Sequence, residues 1–236
     1  MQESYNEFIS TINRIHKFLI DKYNLQSKMS FGSTIDYCKN RDSVVKKYYS
    51  TLDSVRQLRN VLVHQQDDSF VLANPTEQLI KVLNKIEENL ISPKTVGDYF
   101  KKNVICFNGK DSLYYVLEII NKTNITQFPV FTDKGFKGII SATGITHWLA
   151  DNLQNNINYK SSEIINIVNS DLIIENFELL SINVSIFVLD ELFNKYYILH
   201  KEPPVIILTN NGKLNSKDDI KGIITFWDMN KIDHLL

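Results

Sequence analysis

Apolar side chains recur at helical spacing along the first ninety residues. Intervals of three and four residues predict the buried stripe of an amphipathic helix, and in the first such segment the stripe consists of Phe8, Ile12, Ile15, Phe18, Leu19 and Tyr23. Further helices are predicted over residues 33–39, 42–64 and 74–90, with Asp42 as the N-cap of the third. No strand is predicted here, so residues 1–91 are expected to form an all-α four-helix bundle.

The pattern changes at Ser92-Pro93, where short strand-like runs begin to alternate with helical segments. After a short helix over residues 96–101, the order strand, helix, strand, strand, helix occurs twice, with a connecting helix over residues 161–170. The first pass reads VICF, DSLYYVLEIINKT, QFPVFT, KGIIS and TGITHWLADNL; the second reads FELLS, VSIFVLDELFNK, PPVIIL, GIIT and WDMNKIDHL. Such an internal repeat predicts two similar units, over 92–155 and 156–236, that pack on each other. The predicted class is therefore α+β.

Each repeat carries the same short phrase. The first contains Phe128-Pro129-Val130-Phe131 and then Gly138-Ile139-Ile140-Ser141; the second contains Pro203-Pro204-Val205-Ile206 and then Gly222-Ile223-Ile224-Thr225-x-x-Asp228. The two glycines are 84 residues apart. These phrases resemble those of a tandem pair of CBS domains, known as a Bateman module. The resemblance implies two β-α-β-β-α repeats packed as a pseudo-twofold pair.

Thr225 and Asp228 are the candidate ligand-binding residues of the second repeat. Where a strand ends and a helix begins, free N–H groups favour a phosphate, Thr225 can donate to it, and Asp228 can accept from ribose hydroxyls. The resemblance implies an adenine base in the cleft between the repeats, lined by Phe177, Leu179 and Leu180, with Pro204 and Ser141 as further binding residues. The same Thr-x-x-Asp spacing is also that of a helix capping box, so a cap without a ligand is the alternative.

The first repeat lacks the carboxylate of this motif. Gly144 stands where the second repeat has Asp228. We therefore expect one adenosine-type ligand per chain, at the cleft of Thr225 and Asp228. The first cleft is expected to be empty or to hold a molecule without a ribose contact. Trp148 and Trp227 stand at corresponding helix starts and are predicted to be packing residues.

A second motif lies on the long third helix. Arg59-Asn60-x-x-x-His64 resembles the Arg-Asn-x3-His signature of HEPN domains, which are helical bundles that often dimerise and in many members cleave RNA without a metal. The resemblance implies that His64 acts as general acid or base, Arg59 stabilises phosphate charge and Asn60 orients its neighbours. Alternatively, His64 only caps the C-terminus of the helix, where a cation is favourable, and Arg59 pairs with a carboxylate.

Composition narrows the choice of function only slightly. The formal net charge of −1 provides no overall field for nucleic acid or a membrane, and the histidines have no metal-ligand spacing. Cys38 and Cys106 form no CxxC pair, and no apolar run is long enough to span a membrane. We expect a cytoplasmic protein without a required cofactor, bound metal, membrane or DNA.

The combined prediction is a regulatory protein. A CBS pair senses an adenine ligand (AMP, ADP, ATP, a cyclic dinucleotide or S-adenosylmethionine) and controls a HEPN-like domain in a homodimer. The alternative is an enzyme, a nucleotide-gated and metal-independent ribonuclease that uses Arg59 and His64 and has RNA as its partner. A third possibility is a structural dimer with an empty CBS pair.

Overall fold

The computed structural model describes residues 2–64, 73–154, 158–168, 177–200 and 203–231. Two compact units are present, one of Met1–Lys94 with Ser185–Val188 and one of Thr95–Val184 with Leu189–Leu236. The first unit is helical where it is described, and the second combines helices with two small sheets. The predicted α+β class, with helices preceding the sheets, is therefore confirmed at this level.

Four helices make up the described part of residues 1–94. They are α1 (Gln2–Lys22), α2 (Phe31–Cys38), α3 (Ser43–His64) and α4 (Glu77–Ile91). Helix α1 packs against α2 and α4, and α3 also packs against α2 and α4. Four members of the predicted stripe on α1 are buried: Phe8, Ile12, Ile15 and Leu19. The predicted helix end after His64 lies outside the described residues.

Asp42 begins α3 as the sequence predicts. Its Oδ1 accepts hydrogen bonds from the N–H groups of Val44 at 2.9 Å and Val45 at 3.1 Å. Its Oδ2 accepts from Lys22 Nζ at 2.8 Å and from the hydroxyl of Tyr23 at 3.0 Å. One carboxylate thus satisfies two orphan donors of a helix start and also ties α1 to α3.

The second unit contains two three-stranded sheets of the same design. Its elements are α5 (Val96–Phe100), β1 (Phe107–Asn108), α6 (Leu113–Thr123), β2 (Gln127–Thr132), β3 (Gly135–Ser141), α7 (Ala142–Asp151), α8 (Ile165–Val168), β4 (Phe177–Ser181), α9 (Val188–His200), β5 (Val205–Thr209) and β6 (Ile220–Ile224), with 3-10 turns at Lys217–Asp219 and Phe226–Asp228. The sheet orders are β1-β2-β3 and β4-β5-β6, with the first pair parallel and the second antiparallel in each. The predicted final helix over 227–235 falls partly outside the described residues.

The segment leading into each repeat packs on the other repeat. Helix α8, which precedes β4, contacts β3 of the first sheet, and its Ile167 and Val168 belong to the hydrophobic core of the first repeat. Helix α5, which precedes β1, contacts β6 of the second sheet. The backbone N–H of Lys102 then donates to the carbonyl of Lys221 on β6 at 2.8 Å. The two repeats therefore exchange their lead-in segments.

The exchanged helices lie so close to the third strand of each sheet that little room is left for a side chain on that strand. A Cβ at Gly222 on β6 would overlap the backbone carbonyl oxygen of Phe100 in α5. A Cβ at Gly138 on β3 would lie 3.2 Å from Val168 in α8, and Gly138 also has a φ of +154°. Glycine therefore lets the backbone of α5 approach β6 at position 222, and at position 138 it suits the positive φ and the nearby Val168 side chain, which gives the repeated Gly-Ile-Ile phrase a structural reason.

Apolar faces of the two sheets meet within this unit. Ile139 of β3 packs with Val205 and Ile207 of β5 and Ile223 of β6 in one buried cluster. The rings of Phe136 and Phe177 meet edge to face with centroids 5.1 Å apart, and this packing brings the two repeats together as a pair.

Candidate functional site

Thr225 and Asp228 form a compact hydrogen-bonded turn at the end of β6. Oδ2 of Asp228 accepts from the Thr225 N–H at 3.0 Å and from the Thr225 hydroxyl at 3.1 Å. Oδ1 lies 3.4 Å from Nζ of Lys231, a side chain that is mostly exposed. Asp228 is only 8% exposed. Oδ2 is therefore occupied by the turn, whereas Oδ1 retains capacity to accept further hydrogen bonds.

The same local bonds occur at Thr95 and Asp98, at the start of α5. Oδ2 of Asp98 accepts from the Thr95 N–H at 2.8 Å and from its hydroxyl at 2.9 Å. The bond from the backbone N–H of Thr95, and then that from its hydroxyl, lowers the pKa of Asp98. Because Asp98 is exposed, the bonds alone indicate a helix cap. A ligand site at Asp228 therefore has to be argued from its surroundings.

Those surroundings are a cleft of about 360 Å³ between the two repeats. Three stretches line it: residues 102–105 before β1, residues 124–128 at the start of β2, and Ile223, Thr225, Trp227 and Asp228 at the end of β6. Small-molecule sites typically begin at about 300 Å³ and combine apolar walls with a few polar groups. The cleft meets this description, with Val104, Ile105 and Ile223 as apolar members and Asp228 as its carboxylate.

The wall at Asn103, Val104 and Ile105 has backbone groups to offer. Strand β1 pairs with β2 only at Phe107 and Asn108. Within the residues that the structure describes, no backbone group of Asn103, Val104 or Ile105 pairs with another backbone group. The carbonyl of Val104 accepts a weak hydrogen bond from Sγ of Cys106 at 3.6 Å. The other backbone groups of this extended stretch, beside apolar side chains, suit the edge and faces of a flat heterocycle.

The other predicted binding residues do not line this cleft. Ser141 caps α7 by accepting the N–H of Gly144 at 3.0 Å. Phe177 and Leu179 pack against the cluster between the sheets, Leu180 is half-buried on β4, and Pro204 is buried before β5. The structure therefore brings Thr225 and Asp228 to the cleft and does not bring Ser141, Phe177, Leu179, Leu180 or Pro204 there.

The register of the two sheets explains this difference. In the first sheet Gly138 pairs with Val130, which pairs with Phe107; in the second sheet Gly222 pairs with Leu208, which pairs with Leu180. Phe107 and Leu180 are therefore equivalent positions in the two repeats. Counting back three residues from each makes Val104 the equivalent of Phe177. Because the lead-in segments are exchanged, the cleft of Asp228 is lined by Val104 of the first repeat instead of Phe177 of the second.

Sequence reasoning also missed several residues of the cleft. The sequence predicts no binding role for residues 102–105 and 124–128, and it predicts that Trp227 packs. Trp227 is in fact 82% exposed and lines the cleft, whereas Trp148 is partly buried against the core of the first repeat. Aligning the two repeats by their glycines points to Val104, but only the exchange of lead-ins places it beside Asp228.

The Arg59 motif is described only in part. Nε of Arg59 is buried and has no hydrogen-bond partner among the described residues. Asn60 is exposed on α3, and the side chain of His64 is not among those that the structure describes. The charge of Arg59 also acts on His16. Burial lowers the pKa of His16, a hydrogen bond with the backbone at Met29 raises it, and the charge of Arg59 lowers it again. That Arg59 and His64 act together on RNA stays a prediction.

Within the described residues, no group of three or more His, Cys, Asp or Glu side chains is arranged to hold a metal ion. None of the helices in the described ranges is both long and apolar enough to cross a membrane.

Comparison with known proteins finds a family model that matches part of the chain. Residues 96–151 match the family model described as CBS domain, in agreement with the resemblance of the motifs. No curated protein matches the chain.

Several solved structures are similar to about 60% of the chain. The CBS domain pair of protein MJ0100, in complex with 5′-methylthioadenosine and S-adenosyl-L-methionine, is 18% identical with a TM-score of 0.42, covering 60% of this chain and 97% of that one. CBSX2 in complex with AMP is 15% identical with a TM-score of 0.40, covering 60% and 96%. CbpB from Streptococcus agalactiae is 17% identical with a TM-score of 0.40, covering 61% and 81%. At these values, what those proteins bind says nothing about what this chain binds.

Proposed function

We propose that the chain is an adenosine-nucleotide-binding regulatory protein whose ligand occupies the cleft at Asp228. The observation that carries the proposal is the juxtaposition of a buried carboxylate with the extended, apolar-lined wall at Val104 and Ile105. Ribose hydroxyls donate to Oδ1 of Asp228, and the adenine lies against Val104 and Ile105 with its edge on the backbone of this stretch. Lys102, which also lines the cleft, interacts with an anionic 5′ group.

The second half of the proposal is regulation of the helical unit. A second copy of the chain forms a homodimer, and the CBS pair controls a HEPN-like arrangement of the four helices. For this control the ligand has to bind one arrangement of the dimer more tightly than another, since a ligand with equal affinity for both shifts nothing. Occupancy of one cleft per chain is expected, because Gly144 supplies no carboxylate to the other.

A screen of thermal stability tests the binding proposal. Wild type is heated with AMP, ADP, ATP, cyclic di-AMP or S-adenosylmethionine, and so is Asp228→Ala. A ligand at 100 times its dissociation constant stabilises by about 2.7 kcal/mol, which raises the melting temperature by several degrees. We expect at least one of these ligands to stabilise wild type and not Asp228→Ala. If no ligand stabilises wild type, the proposal fails and Thr225 with Asp228 is only a helix cap.

One observation favours the ribonuclease as a second candidate. Nε of Arg59 is buried and has no hydrogen-bond partner in the part of the chain that the structure describes, and a phosphate oxygen is a suitable acceptor for it. Wild type is then expected to cleave single-stranded RNA without a metal, and His64→Ala and Arg59→Ala to abolish cleavage with the fold intact. Arg56→Ala is the matched control, because Arg56 lies one turn earlier and is paired with Asp53 at 2.8 Å. Absence of cleavage by wild type, with or without nucleotide, rules the enzyme out.

A further inference from the structure

Gln127 is the first residue of β2 and lines the cleft at Asp228. Its backbone is engaged in the sheet opposite Ser141. Its side-chain oxygen Oε1, in contrast, is buried and has no hydrogen-bond partner in the described part of the chain. Buried acceptors are almost always paired in folded proteins, so this oxygen calls for an explanation.

Position along the sheet places Gln127 beside the wall assigned to the base. Strands β1 and β2 run parallel, with Phe107 opposite Val130. Val104 and Gln127 each precede this pair by three residues, and both line the cleft. The backbone of Val104 and the amide of Gln127 therefore border the same cleft.

A ligand can supply the missing donor at this place. The last torsion of a glutamine side chain is soft, so a small rotation turns Oε1 from the wall into the cleft. Adenine presents two N–H donors on its 6-amino group, whereas hypoxanthine presents an oxygen acceptor at the same position. A 6-oxo group can pair with this amide only through Nε2, and that orientation leaves Oε1 in the wall without a donor, which buried groups tolerate poorly.

We propose that Gln127 is the residue with which the cleft distinguishes a 6-amino purine from a 6-oxo purine. Its carbonyl oxygen accepts a hydrogen bond from the amino group, while the ribose is held at Asp228. This inference rests on the proposed nucleotide site and adds to it a named determinant of base specificity.

The test compares the dissociation constants of AMP and IMP, which differ only in the 6-substituent of the base and in the proton on the adjacent N1. Wild type is expected to bind AMP about tenfold more tightly than IMP, the effect of a single hydrogen bond. Gln127→Leu is expected to lose this preference by weakening AMP binding, with its IMP binding and unfolding midpoint not lowered. Gln127→Glu, which can only accept through its ionised carboxylate, is expected to keep the preference although it binds both anions less tightly.

The matched control is Thr126→Val, since Thr126 is the adjacent residue and also lines the cleft. It is expected to leave the AMP-to-IMP ratio unchanged. If wild type binds AMP and IMP equally, or if Gln127→Leu keeps the wild-type ratio, the role of Gln127 is wrong although the nucleotide site stands. If wild type binds neither nucleotide, both the site and the role of Gln127 are wrong.

Discussion

Replacing Gly222 by alanine tests the exchange of lead-in segments on which the cleft depends. The new Cβ would overlap the carbonyl oxygen of Phe100 and would lie 3.2 Å from Cδ1 of Leu208. Because the obstructing oxygen belongs to the backbone of α5, no side-chain rotation can relieve the overlap. We therefore expect α5 to move away from β6.

The cost follows from what α5 buries. Val96 is 0% exposed and Phe100 is 5% exposed. Full burial of such a side chain contributes about 1.5–3 kcal/mol, and inserting a methyl group into a packed interior typically costs about 1–3 kcal/mol. Since α5 is displaced and not released, we expect Gly222→Ala to lower the free energy of unfolding by about 2–3 kcal/mol.

Urea unfolding followed by tryptophan fluorescence measures this loss. Both tryptophans, Trp148 and Trp227, lie in the second unit, so their emission reports on the unit that contains α5 and β6. Moving α5 also displaces the segment beginning at Lys102, which lines the cleft. Nucleotide binding is therefore expected to weaken together with stability.

Gly109→Ala is the matched control for Gly222→Ala. A Cβ there would meet only side-chain atoms of Thr132 and Ile165, at 3.1–3.3 Å. These atoms can yield by tenths of an ångström, so the loss is expected to stay below about 1 kcal/mol. Equal losses in Gly222→Ala and Gly109→Ala would refute the packing of α5 on β6 as the reason for glycine at 222.

Two other perturbations have expected outcomes. Burial alone raises the pKa of Asp42, but hydrogen bonds from Lys22, the Val45 N–H and Tyr23 outweigh burial and lower this pKa. The ionised Asp42 therefore stabilises the folded protein fully above the unfolded pKa of about 3.9. This stabilisation is lost as the pH falls through the folded pKa. Asp42→Asn should then lower the urea midpoint at pH 7 and reduce its dependence on pH below 5, as followed by circular dichroism; an unchanged acid profile would contradict this. Lys102→Ala should weaken AMP binding about two- to fivefold and leave adenosine binding unchanged in calorimetry; equal effects on both ligands would show that Lys102 does not interact with the phosphate.

Local patterns in the sequence were sufficient for most helices. The stripe of Phe8, Ile12, Ile15 and Leu19 is buried on α1, and Asp42 caps α3 as expected. These predictions succeed because amphipathic spacing and caps depend on residues close together along the chain. The strand VICF was overestimated, since β1 covers only Phe107–Asn108, and Val104 and Ile105 line the cleft instead of pairing.

Long-range packing decided what the sequence could not predict. The motif pointed correctly to Thr225 and Asp228 as neighbours, because a turn of four residues brings them together. The strand facing them was assigned to Phe177–Leu180 of the same repeat, since nothing local shows that α5 and α8 change places. Trp227 is another example, because a residue at a helix start packs or faces solvent according to elements distant in sequence.

Calorimetric titration of AMP into wild type, Asp228→Ala and Asp98→Ala tests the central claim most directly. The two aspartates make the same bonds to the threonine three residues earlier, so both substitutions remove a cap and only one removes a residue of the cleft. We predict one AMP per chain with similar dissociation constants for wild type and Asp98→Ala, and no measurable binding to Asp228→Ala. Equal binding by all three proteins, or binding by none, would contradict a nucleotide site at Asp228.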